Sequence, residues 1–165
     1  MRLVAEWAVR TFPLAELKLR VDVGDLRTAL QDTGLTAAEL RRLGRSRRWV
    51  DAMIVEPAAV HLVEAKISLV PGALEQLELY RRLFPKTPEL AHLRDRRLEL
   101  HVVYAVEDPI LVALARERGV RVHLFRPAWV DAYLAELEHR RRRPPQPHGL
   151  EEDLFPEVDG EPENP

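Results

Sequence analysis

Apolar positions change period several times along this chain, and the changes mark out its elements. Leu3, Val4, Trp7, Ala8 and Phe12 recur at helical spacing and stop at Pro13, which predicts a first helix. Leu17, Leu19, Val21 and Val23 alternate with polar residues up to Gly24, the pattern of a half-buried strand. Thr36-Ala37-Ala38-Glu39 has the form of a capping box and predicts a short helix ending near Gly44. Two β-branched-rich apolar runs follow, residues 49–55 and 60–67, each bounded by breakers, and both read as strands. Residues 71–84 are helical in pattern, with Leu74, Leu77, Tyr80, Arg81 and Phe84 on related faces, and Pro85 and Pro88 end the run. Residues 98–106 are nearly all apolar, which predicts a central strand. A helix over 110–119 with a glycine stop, a strand over 120–125 and a helix over 128–142 complete the series.

This order predicts an α/β fold. A three-stranded meander followed by helical crossovers implies a mixed central sheet flanked by helices. Proline and acids dominate from Pro144 onward. Residues 1–143 are therefore expected to form the folded domain, and 144–165 a disordered tail.

The two runs at 49–55 and 60–67 carry the candidate chemistry. Glu56-Pro57-Ala58-Ala59 lies between them, and Pro57 suits the second position of a type I turn because its φ is already set. A hairpin closing around Pro57-Ala58 pairs Val55 with Val60. Counting back in that register, Asp51 faces Glu64 and Trp49 faces Lys66. Strand side chains alternate, so Glu64 and Lys66 share a face. Two opposed carboxylates repel one another. A hard divalent cation between them, Mg²⁺ or Mn²⁺, removes the repulsion, and a lysine beside it can orient water or stabilise charge developing on phosphorus. The plainer alternative is a set of solvated residues on an exposed hairpin. Both runs are too apolar for a hairpin with one wet face, which favours a partly buried cleft.

Composition narrows the classes. The 165 residues suffice for about one domain with a real core. With no cysteine, disulfides and thiolate zinc sites are excluded. No apolar run approaches the ~20 residues of a membrane span, and the N-terminus has no signal-peptide pattern, so a cytoplasmic setting is expected, in the host cytoplasm if the chain is phage-encoded. The six histidines are scattered, without the spacing of a metal-binding pair. Residues 149–165 hold seven acids and no Lys or Arg, so the rest of the chain carries 25 basic against 20 acidic residues, a net +5. Arg greatly outnumbers Lys, as suits phosphate recognition.

Element order and residues together resemble the PD-(D/E)XK nuclease superfamily, whose restriction-endonuclease-like core runs αβββαβ. Asp51 matches the first acid of its motif, and Glu64-Ala65-Lys66 matches the (D/E)-x-K half. The resemblance covers roughly residues 1–126, and Val50 stands where the motif has proline. It implies a Mg²⁺-dependent deoxyribonuclease. Asp51, Glu64 and the Ala65 carbonyl would hold metal, and Lys66 would position the attacking water. Glu6 on the first helix would be a further metal ligand. Gln76 and Tyr80, four apart on one helix face, match a feature of the recombination-exonuclease subgroup. Gln76 would bond the lysine or a phosphate, and Tyr80 would either meet DNA or pack in the core.

DNA is the implied partner. Arg45, Arg47 and Arg48, with Arg41 and Arg42, would grip its backbone beside the cleft, unless they form only a solvated helix end. Arg140 to Arg143 would do likewise or simply complement a helix C-terminus. If the acidic tail shields this basic surface, deleting residues 149–165 should strengthen DNA binding at low salt, and unchanged binding counts against it. A stand-alone domain of this kind is similar to small phage nucleases and Holliday junction resolvases, and junction cutting would require a homodimer. The competing reading is a catalytically silent nuclease-like module that binds DNA or protein in a larger assembly.

Overall fold

The computed structural model describes residues 1–24 and 48–142. The predicted short helix over 36–44 and the tail lie outside them. The elements are α1 (Arg2–Thr11), β1 (Glu16–Val23), β2 (Arg48–Val55), β3 (Ala59–Ser68), α2 (Pro71–Leu83), β4 (Arg97–Val106), α3 (Pro109–Glu117), β5 (Arg121–Leu124) and α4 (Ala128–Arg142). Two 3-10 turns, Phe84–Lys86 and Pro88–Leu93, join α2 to β4. Each starts at or beside the proline expected to end the helix, because proline has no N–H to extend it.

One five-stranded sheet runs in the order β1-β2-β3-β4-β5. Its first three strands are antiparallel, and β3-β4 and β4-β5 are parallel. The fold is thus α/β with a mixed sheet flanked by helices. As its apolar run predicted, β4 is an interior strand, paired on both edges by β3 and β5 and covered by helices on both faces.

The two faces have separate cores. On one, Met53, Val60, Leu62, Leu100 and Val102 pack against Leu74, Leu77 and Tyr80 of α2 and Leu111, Val112 and Ala115 of α3. On the other, α1 buries Leu3, Val4, Trp7 and Ala8, and its rings reach the strands: Trp7 lies 4.7 Å from the His123 ring and Phe12 lies 4.7 Å from that of His61. Fully burying a side chain of this size is worth roughly 1.5–3 kcal/mol, so both helices are held by the sheet more than by their own propensity.

The described residues fall into two compact units. Met1–Asp131 holds the sheet and the first three helices. In the second, from Ala132, α4 continues to Arg142 with an Arg140–Glu136 ion pair at 2.7 Å along one helix face. Among the described residues no helix is long and apolar enough to cross a membrane.

Candidate functional site

The hairpin closes as its turn residues predict. Glu56 and Ala59 exchange two backbone hydrogen bonds around Pro57-Ala58, and Val55 pairs with Val60. The ladder then runs only to Ala52↔Val63. Asp51 is therefore not paired with Glu64, nor Trp49 with Lys66; Trp49 pairs with Asp22 on β1 instead. The cause is a break on the other side of β2. Pairing between β1 and β2 skips Arg20 and Asp51, and Arg20 sits in the left-handed region at φ +54. Val50 and Met53 belong to one buried cluster although three residues apart, which strict alternation forbids. The strand turns over beside Asp51, and its β3 partner strand loses its backbone neighbour there.

That break places the carboxylate. Asp51 Oδ2 accepts the Ala65 N–H at 2.9 Å, a donor that an unbroken ladder would have sent to the β2 backbone. The N–H and carbonyl of one strand residue project from the same edge, so the Ala65 carbonyl also faces this gap. Glu64 is buried, at 2 % exposure, and its Oε1 accepts a hydrogen bond from Lys66 Nζ. Its Oε2 is buried with no hydrogen-bond partner. Burial raises the Glu64 pKa, Lys66 opposes the rise and the Asp51 charge adds to it. Asp51 and Lys66 are half-buried. The structure thus brings together Asp51, Glu64, Ala65 and Lys66 at the sheet face covered by α2. Their donor set is all oxygen with one orphaned carboxylate oxygen, which fits a hard divalent cation.

Tyr80 joins this group from beneath. It is 2 % exposed, and its hydroxyl donates to the Trp49 carbonyl at 2.6 Å, holding the strand where the ladder has parted. Burial, then Glu64 and Asp51, push its pKa up, so it remains a protonated donor. Tyr80 thus lies in the hydrophobic core, with its hydroxyl on the backbone of β2. Gln76 is half-buried one helical turn before Tyr80. Arg48 is exposed at the start of β2, whereas Arg45 and Arg47 lie outside the described residues.

Glu6 goes elsewhere. Its carboxylate accepts from Arg2 Nε at 2.7 Å and Trp129 Nε1 at 3.1 Å, and the Arg2 bond leads in lowering its pKa. It sits on α1, which covers the face opposite Glu64. Helical spacing located Glu6 on the helix but not the face of the sheet that the helix would cover.

The histidines correct a second expectation. His61 on β3, His101 on β4 and His123 on β5 are far apart in sequence but form one row across the α1 face. His61 Nδ1 lies 3.0 Å from His101 Nε2, and His101 Nδ1 lies 2.9 Å from His123 Nε2. Glu99, paired with His61 across the β3-β4 ladder, completes a buried group of His61, Glu99 and His101 whose atoms converge closely enough to hold a metal ion. Burial leads in lowering the His101 pKa to about 3, with His123 and His61 adding to it, so this ring is uncharged at neutral pH. Burial also lowers that of His123. The missed signal was parity: each polar residue interrupts an apolar strand run on the same face.

Comparison with known proteins gives no match to a family model and none to a curated sequence.

Proposed function

We propose that the chain is a metal-dependent nuclease of the PD-(D/E)XK type, hydrolysing DNA phosphodiester bonds at the Asp51–Glu64–Lys66 site. One observation carries this reading. A buried carboxylate with an unbonded oxygen stands beside a second acid and a lysine, where β2 parts from β3. Such a group destabilises a fold unless it serves a ligand. The αβββαβ order through β4 agrees with the resemblance.

Asp51, Glu64 and the Ala65 carbonyl are the groups that would hold Mg²⁺ or Mn²⁺. A bound ion of this kind lowers the pKa of water and polarises a phosphate. Lys66 orients the attacking water and stabilises the charge that grows on the phosphate oxygens. Glu64 accepts a hydrogen bond from Lys66 Nζ and so holds it along the face. Gln76 stands one helical turn before the buried Tyr80 and is the nearer candidate for a phosphate contact. Arg48 is exposed beside the break and meets the DNA backbone.

The test is cleavage of single-stranded, duplex, flapped and four-way DNA with Mg²⁺ or Mn²⁺. Lys66→Ala and Asp51→Asn should each reduce the rate by at least about 10²–10³-fold. Asparagine is chosen because its amide oxygen still accepts the Ala65 N–H, so a loss reports the charge and not the fold. Cutting by either variant at the wild-type rate would sink the assignment. A chain that shows no cleavage and no thermal shift with either metal would instead be the silent DNA- or protein-binding module.

A further inference from the structure

We propose that His61, Glu99 and His101 form a zinc site, buried on the α1 face and separate from the nuclease site. The two sites share β3 but take alternate side chains from it. The inference therefore stands whether or not the chain cuts DNA.

The three donor atoms are spaced as ligands of one ion. His61 Nδ1 and His101 Nε2 are 3.0 Å apart, and Glu99 Oε2 lies 3.3 Å from the first and 3.6 Å from the second. Zinc bonds of about 2.0–2.1 Å at tetrahedral angles separate neighbouring ligands by roughly 3.3–3.4 Å, inside that range. The residues sit deep: their exposures are 3 %, 7 % and 1 %.

Proton accounting sharpens the case. His61 Nε2 faces the Glu56 carboxylate at 2.9 Å, and a carboxylate can only accept. In the neutral ring the single proton is therefore on Nε2, and Nδ1 presents a lone pair. Glu99 Oε2 is buried without a hydrogen-bond partner, 3.3 Å from that lone pair. With the His101 proton on Nδ1, three acceptor atoms meet in the interior with nothing between them; with it on Nε2, that N–H satisfies His61 Nδ1 at 3.0 Å, and Glu99 Oε2 stays without a partner. A cation among the three atoms engages all of them at once.

The outer atoms of all three ligands are already engaged, the arrangement that fixes and orients metal ligands. Glu56 holds His61 and His123 meets the far nitrogen of His101. The other Glu99 oxygen accepts from Arg97 Nε at 2.8 Å and Arg121 Nη2 at 3.0 Å, which turns Oε2 inward. Two imidazoles and one carboxylate suit zinc, whereas the all-oxygen set on the opposite face suits magnesium. His61 comes from β3, and Glu99 and His101 from β4, so the ion ties the parallel pair together. Trp7 and Phe12 roof it.

The test uses the tag-free, full-length chain, stripped with a chelator and dialysed against zinc sulfate, with bound metal counted by mass spectrometry after gel filtration. One zinc per chain is expected in the wild type and in the Asp51→Asn/Glu64→Gln double variant. Binding should be at least ten-fold weaker in Glu99→Gln. In the wild type, Co²⁺ should give visible d–d absorption typical of four- or five-coordination, and Glu99→Gln should lose it. Zinc should also raise the wild-type Tm by about 5 °C or more at saturation. Two results overturn the proposal. One is a wild-type chain that keeps no zinc and gives no cobalt spectrum, which leaves a histidine row joined by protons alone. The other is equal zinc affinity in Glu99→Gln, which places the ion elsewhere.

Discussion

Glu64 is a carboxyl group that its surroundings would rather keep protonated. Burial outweighs Lys66, and the nearby Asp51 charge adds to the imbalance. The folded chain therefore holds this proton more tightly than the unfolded chain does. Between the ordinary carboxylate pKa and the raised one, the folded state binds the extra proton, so stability falls as pH rises through that window. Glu64→Gln removes the titration and supplies an amide that can donate. In chelator, at pH values above the window, this variant should be more stable than wild type by roughly 1 kcal/mol, and its Tm should change less with pH. Thermal unfolding across pH 4–8 reads both effects. Equal stability with an unchanged pH slope would mean that Lys66 already offsets the burial. The same substitution should end metal-dependent cleavage, so stability gained and activity lost would mark one group.

At the level of single elements, the β2-β3 hairpin was legible because everything that sets it is local. A two-residue turn and period-two alternation determine its register, and Val55↔Val60 follows. The break at Asp51 was not legible. It depends on Arg20 at φ +54 in a strand some thirty residues earlier, and arginine carries no residue-type signal for that conformation. The end of β1 is different, because Gly24 is a residue type that announces its role. It adopts φ +94, a Cβ there would meet the Leu83 side chain at 3.2 Å, and its N–H donates to Thr87 Oγ1 at 2.7 Å. This glycine ties the end of β1 to the turn after α2. Gly24→Ala should cost about 1–2 kcal/mol, from the left-handed backbone and the Leu83 shift together. Urea denaturation measures it, and a loss under about 0.5 kcal/mol would show that the junction relaxes freely.

Across the whole molecule, the limits of the sequence follow the limits of local information. Element types and the mixed sheet could be read from periodicity and order. The side of the sheet covered by α1 could not, so Glu6 was matched to a site on the face that α1 leaves to α2. The histidine row was hidden for a related reason. His61 and His101 are 40 residues apart and His101 and His123 are 22 apart, joined through helical crossovers that do not set register by any turn. Parallel pairing is decided by packing on both faces, so neighbours across it leave no repeated spacing in the chain.

Strand β3 carries this two-sided arrangement to its limit. Between Ala59 and Ser68 it offers His61 to one face, and Glu64 and Lys66 to the other, while its backbone pairs on both edges. A slip of one residue would exchange the faces, setting a carboxylate under Trp7 and an imidazole among the leucines of α2. Misregistered pairings are therefore penalised from above and below at once. Length changes should be tolerated in the connections around this strand and not within it. Its residue count is as much a determinant of the chemistry as the identity of its side chains.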